Sequence, residues 1–224
     1  MSIQHTQTGI SRKTIAIAFV VVSILGSVAL ATAMAHVSAN SKPSTQAFQD
    51  QMRKLWEDHI TWTRLAIVSI VNGLPDTDAT VHRLLQNQMD IGNAIKPFYG
   101  DDAGNQLTSL LHDHITIAAE ILVDAKAANM TALNGAIARW YANANSIAEF
   151  LHDANPRFWS LAMTQTMMKT HLDLTLNEAV SYLKGDYNGS VQAYEKVHLQ
   201  ILQMADMLSI GIIAQFPHDF SGTH

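Results

Sequence analysis

Three observations predict an all-α fold, an up-down helical bundle built from three antiparallel hairpins. Apolar residues recur at helical spacing along most of the chain, and no stretch alternates convincingly as a strand does. Turn chemistry interrupts that pattern at NGLPDTD, PFYGDDAG, AANMT and KGDYNGS. Three histidines, His59, His114 and His171, stand inside matching apolar stripes, LWEDHITWTR, LLHDHITIAA and MMKTHLDLTL.

The stripes match in register. Leu55, Leu110 and Met167 lie four residues before the histidine, Trp56, Leu111 and Met168 three before, and Trp62, Ile117 and Leu174 three after. These positions share one helix face, so each imidazole falls in the strip that is to be buried. A polar group repeated at the centre of a core stripe is the informative observation. Polar partners follow at similar distances: Asp90 is 31 residues after His59, Asn145 is 31 after His114, and Asp206 is 35 after His171. The midpoints fall in the turn segments, so the spacing predicts that each histidine faces its partner across a hairpin, roughly 20 Å from the turn. The pattern is an internal repeat of about 55 residues, present three times and arranged with pseudo-threefold symmetry. The alternative is a four-helix bundle with peripheral segments.

Taken in order, Arg12 and Lys13 precede an apolar run, Thr14 to Ala35, that ends in Ala33-Met34-Ala35. Residues 1–35 read as a signal peptide cleaved before His36, with an uncleaved membrane anchor as the alternative. The flanking charge places the remainder outside the cytoplasm, in a periplasmic or other extracytoplasmic compartment. Residues 36–44 read as a linker and 45–217 as the bundle. Helices are expected over about 45–72, 78–96, 104–128, 131–152, 157–183 and 190–214, closed by Phe216-Pro217, with 218–224 as a tail.

Composition narrows the function. The chain carries 14 basic and 19 acidic residues and no cysteine. Removing residues 1–35 takes away two cations and no acids, leaving 12 − 19 = −7. An acidic chain has no basic face for nucleic acid. Without cysteine there is neither disulfide exchange nor a thiolate metal site, and an oxidising compartment adds no staple.

If the hairpins close around an axis, His59, His114 and His171 converge at one level. Three neutral imidazoles suit Zn²⁺, Cu²⁺ or Fe²⁺, with Asp90 and Asp206 as ligands or as groups orienting the rings. Asn145, without charge, fits only an orienting role. Met167 and Met168 before His171, and Met204 and Met207 around Asp206, add soft thioethers that lean towards copper. The competing reading is structural: buried His–Asp pairs satisfy each other, and methionines at helical spacing fill cores. Glu178, seven after His171, is a further ligand or the partner of Arg64. An enzyme using the His–Asp pairs for acid–base work is a second reading. A metal-free scaffold presenting Trp56, Trp62, Tyr99 and Trp140 is a third. The Glu-x-x-His pairs of di-metal carboxylate bundles are absent, as are nucleophile-elbow and dinucleotide fingerprints.

The motifs LWEDHITWTR, NQMDIGNAIKPFYG, LLHDHI, WYANANSIAEFL and MADMLSIGIIAQFP resemble a family of small bacterial all-helical proteins across most of Leu55–Pro217. The resemblance implies a helical fold and carries no activity. In that family the position of Asn145 is often acidic, so this chain departs there.

Overall fold

A computed structural model describes residues 42–221. The signal or anchor segment 1–35, most of the 36–44 linker and the last three residues of the tail lie outside the described residues. Every regular element within them is helical: α1 Thr45–Asn72, α2 Thr77–Lys126, α3 Met130–Ala154, α4 Leu161–Leu183, α5 Tyr187–Gln215 and a 3₁₀ turn Pro217–Asp219. A lone parallel bridge joins Ser44 and Ser221.

Six helices are expected from the sequence; the second and third meet at Gly100 without an intervening loop and make up the single kinked element α2. Pro97 lies inside the first arm, and Gly100, at φ 85° and ψ 171°, is not helical and breaks the run so that the chain reverses. The arms 77–99 and 101–126 then press together at Gly92 and Gly104. A Cβ on Gly92 would stand 2.5 Å from the Gly104 carbonyl oxygen, and one on Gly104 2.7 Å from that of Gly92. Only hydrogen fits between these backbones.

The other reversals share one geometry. The residue fourteen after each histidine adopts the left-handed conformation: Gly73 (φ 63°), Ala128 (φ 55°) and Gly185 (φ 74°). The next amide donates back five residues in every case. Leu74 bonds the Ser69 carbonyl at 2.9 Å, Asn129 that of Asp124 at 2.9 Å, and Asp186 that of Ser181 at 3.0 Å. This is the Schellman closure, which satisfies carbonyls orphaned at a helix end.

Helix starts are capped by short polar side chains. Ser44, Asn129, Ser160 and Asp186 accept from the amides of Ala47, Ala132, Met163 and Gly189. Ser160 thus begins α4 four residues later than the sequence suggests, and Asp186 begins α5 three earlier. Residues 155–160 fold inward instead: Asn155 Nδ2 donates to the Gly211 carbonyl at 3.0 Å, and Trp159 is buried.

Neighbours in sequence pack together, and α5 returns to α1, so the helices form a closed ring around one core. At the open end of the ring Phe48, Phe98, Phe216 and Phe220 stack on one another, with centroids 5.1–5.7 Å apart. Ser221 N–H donates to the Pro43 carbonyl at 2.9 Å. Phe220 is therefore core, and the expected tail is in part structural.

Candidate functional site

The apolar stripes are buried at their centre and half-buried at their edges, where Leu55, Leu110, Met167, Trp62, Ile117 and Leu174 lie. Trp56, Leu111 and Met168, three before each histidine, are buried, as are Ile60, Ile115 and Leu172 immediately after. The histidines themselves are buried, at 3% (His59), 3% (His114) and 4% (His171) exposure. Ring centroids of His59 and His171 are 5.7 Å apart, and those of His114 and His171 6.4 Å. The indole of Trp140 stacks on His114 at 5.1 Å and donates to its carbonyl.

The partners across the hairpins are amides, not carboxylates. His59 Nδ1 lies 3.4 Å from Gln88 Nε2, His114 Nδ1 3.0 Å from Asn143 Oδ1, and His171 Nδ1 3.1 Å from Gln200 Oε1. The separation is 29 residues each time, with the left-handed turn residue at its centre. Each amide is itself aimed by the backbone. Asn143 Nδ2 donates to the Leu110 carbonyl and Gln200 Nε2 to that of Met167, in both cases four residues before the histidine. This leaves the amide oxygen pointing at the ring, so Nδ1 carries the proton and Nε2 the lone pair.

In the first unit the task is divided. Asn87 Nδ2 donates to the Leu55 carbonyl, and Gln88 Nε2 reaches the ring while donating to the Leu84 carbonyl at 2.7 Å. Gln88 Oε1 is buried without a partner. His59 Nδ1 therefore accepts, and its proton sits on Nε2.

All three rings are neutral. Burial pushes the His114 imidazole down to about 3 and that of His171 to about 4, and holds His59 well below its ordinary value. The neighbouring rings reinforce this for His59 and His114, because a second cation in the same dry layer repels the first.

The carboxylates expected beside the imidazoles meet arginines. Asp206 accepts two hydrogen bonds of 2.5 Å from Arg53, which holds its carboxyl below the usual range. Asp90 stands 3.7 Å from Arg83, and Asn145 is exposed. Two residues beyond the amide, Asp90 and Asn145 are rotated about 200° around the helix, away from the ring. Gln88, Asn143 and Gln200 carry no charge to mark them as partners, although their constant 29-residue spacing from the histidines is visible in the chain.

Cavities flank the layer on both sides. Towards the turns, one of about 50 Å³ is lined by Thr63, Ala118 and Thr175, each four residues after a histidine, with Ile115, Leu84 and Trp140. Thr175 Oγ1 is buried there without a partner. Towards the aromatic end, one of about 20 Å³ lies among Trp56, Leu107, Met168 and Met204. Of the aromatics that a scaffold would present, Trp56 and Trp140 are buried, and Trp62 and Tyr99 half-buried.

Glu178 is paired with Arg64, the second of the two roles open to it. It is 1% exposed and accepts from Arg64 at 2.7 Å, while Arg64 also reaches Ser190 and covers the Tyr194 ring. Desolvation raises its carboxyl from the ordinary value, and the guanidinium opposes that. The corresponding positions seven after His59 and His114 hold Ala66 and Ile121.

Among the described residues no group of three or more histidine, aspartate or glutamate side chains is gathered closely enough, as it stands, to hold one ion. Comparison of the chain with protein-family models, with curated proteins and with solved structures finds no match.

Proposed function

We propose that this is an extracytoplasmic bundle, exported or anchored through residues 14–35, that holds one transition metal ion on His59, His114 and His171. The observation that carries the reading is the three-fold recurrence of a neutral buried imidazole oriented through Nδ1 by a backbone-aimed amide. That arrangement leaves Nε2 of His114 and His171 with a free lone pair, as histidine ligands require. The register of rings, amides and left-handed turns supports the finer architecture too: three copies of one hairpin around a pseudo-threefold axis.

Two adjustments complete the donor set. Three imidazoles on one zinc, with Zn–N bonds near 2.0–2.1 Å, stand with ring centres about 5 Å apart. His59 and His114 must therefore each draw about 1 Å closer to His171, with the flanking cavities leaving room. His59 must also move its proton to Nδ1, and the Gln88 amide must turn over so that its unpartnered Oε1, rather than Nε2, faces the ring. Neutral imidazoles suit Zn²⁺, Cu²⁺ or Fe²⁺. Asp90 and Asp206 stay outside the donor set, since Arg83 and Arg53 hold them.

The test is metal content after purification from the native compartment, and Zn²⁺ and Cu²⁺ titration of the stripped chain. One equivalent bound by the unmodified chain and none by His114→Ala supports the site. Metal retained by His114→Ala, or no metal bound by a folded unmodified chain, refutes it and leaves the layer as a device of hairpin register.

A further inference from the structure

A second metal chemistry lies outside the bundle core. The seam between α4 and α5 opens as a groove of about 550 Å³. Met163, Met167, Met204 and Met207 line it, together with glutamine, threonine and alanine and without any charged side chain. Met163 and Met167 are one turn apart on α4, and Met204 and Met207 three residues apart on α5, so each pair shares a helix face. The two faces meet, because Gln200 of α5 donates to the Met167 carbonyl at 3.3 Å from inside the same groove.

Methionine more often fills a core than binds a metal. Here only Met204 is fully buried, at 2%, while Met163, Met167 and Met207 are half-buried along an open groove. Leucine covers such a seam equally well. Four neutral, polarisable thioethers with no carboxylate, imidazole or ammonium among them make a donor set that hard cations ignore. A soft monovalent d¹⁰ ion matches it.

We propose that the α4–α5 groove binds Cu(I) through the thioethers of Met163, Met167, Met204 and Met207. The site adjoins the histidine layer through Gln200 and Met204 but takes no donor from it and does not rest on it: the imidazoles take a divalent ion, the thioethers a monovalent one. Copper enters as Cu(I) and leaves as Cu(I), so binding involves no electron transfer.

The experiment uses the full chain with ¹³C-labelled methionine methyls, titrated without oxygen. Ag(I), a redox-inert relative of Cu(I), is added first, and Cu(I) then competes against a chromophoric Cu(I) chelator. The methyl signals of Met163, Met167, Met204 and Met207 are expected to shift together while those of Met52, Met89 and Met130 stay, and in His114→Ala, whose imidazole layer is broken, Zn²⁺ moves none of the four. Met163→Leu with Met167→Leu conserves volume and so keeps the fold, and it is expected to lose Cu(I) to a chelator concentration that the unmodified chain withstands. His114→Ala is expected to retain Cu(I), which separates this site from the imidazole reading. Unshifted groove methyls, equal shifts at exposed Met89 and Met130, or undiminished Cu(I) binding by the double variant each overturn the proposal.

Discussion

The indole of Trp159 occupies the space in which a side chain on Gly211 would lie. A Cβ at Gly211 would stand 2.1 Å from Trp159 Nε1 and 2.7 Å from the adjoining ring carbon. Trp159 is 2% exposed, and its Nε1–H points to the Met207 carbonyl, so the ring has nowhere to retreat. Gly211→Ala is expected to destabilise the bundle by about 1–3 kcal/mol through overpacking. A lower urea midpoint with an unchanged slope, and a shifted Trp fluorescence maximum, is the result that checks it.

Ala128 performs at φ 55° the task that Gly73 and Gly185 perform in the sister turns. An L-residue in that conformation carries a cost that glycine lacks. Ala128→Gly is therefore expected to stabilise the fold by about 0.5–1 kcal/mol even though it removes a methyl group. Gly185→Ala should do the reverse. Thermal melts of the two variants, read against the unmodified chain, test the pair.

The metal-free protein is expected to lose stability as pH falls below about 6.5, the ordinary histidine value. The folded-state values lie lower, at about 3 for His114 and about 4 for His171. Between these limits the unfolded chain binds protons that the folded one refuses, so stability rises with pH and drains away on acidification. Each buried histidine contributes a slope of about 1.4 kcal/mol per pH unit in that window. Above pH 7 both states are neutral and the effect vanishes. Urea titrations at intervals from pH 7.5 to 4.5 read the slope, and His171→Gln is expected to make it shallower by one proton.

If the imidazole layer holds a metal, the amides behind it govern the affinity. Asn143→Leu and Gln200→Leu each remove the oxygen that keeps the proton on Nδ1, and each is expected to weaken divalent metal binding about 10–100-fold. Asp206→Asn breaks a surface pair with Arg53 instead, and should leave that affinity unchanged. Competitive titration against a zinc chelator distinguishes the two outcomes.

Helix periodicity, caps and turns in this chain are local properties, and they were legible. The buried faces around His59, His114 and His171 and the hairpin turns lie where spacing puts them. The abrupt junction at Gly100 was less legible: the helical arms run on to either side of one non-helical residue, where the sequence suggests a loop of several. The ring partners were misjudged for a different reason. A histidine in a dry core invites a carboxylate, yet a charge there costs more than a neutral amide. Gln88, Asn143 and Gln200 solve the problem without ionisation, and composition alone gives no hint of that choice. Trp159 falls within the helix expected over 157–183, but Ser160 caps α4 at Leu161 and leaves the indole in a connection whose packing on Gly211 is a long-range contact.

Backbone pairing of Ser221 with Pro43 brings the two ends of the described body together, and α5 lies against α1 as any neighbours do. Such a ring has no topologically privileged break. A circular permutant that links residue 221 to residue 43 through a short glycine bridge and opens within the 127–129 turn should regain the same packing. Its start codon would then fall inside the second hairpin, between His114 and Asn143, and the order in which helices leave the ribosome would change while the histidine layer did not.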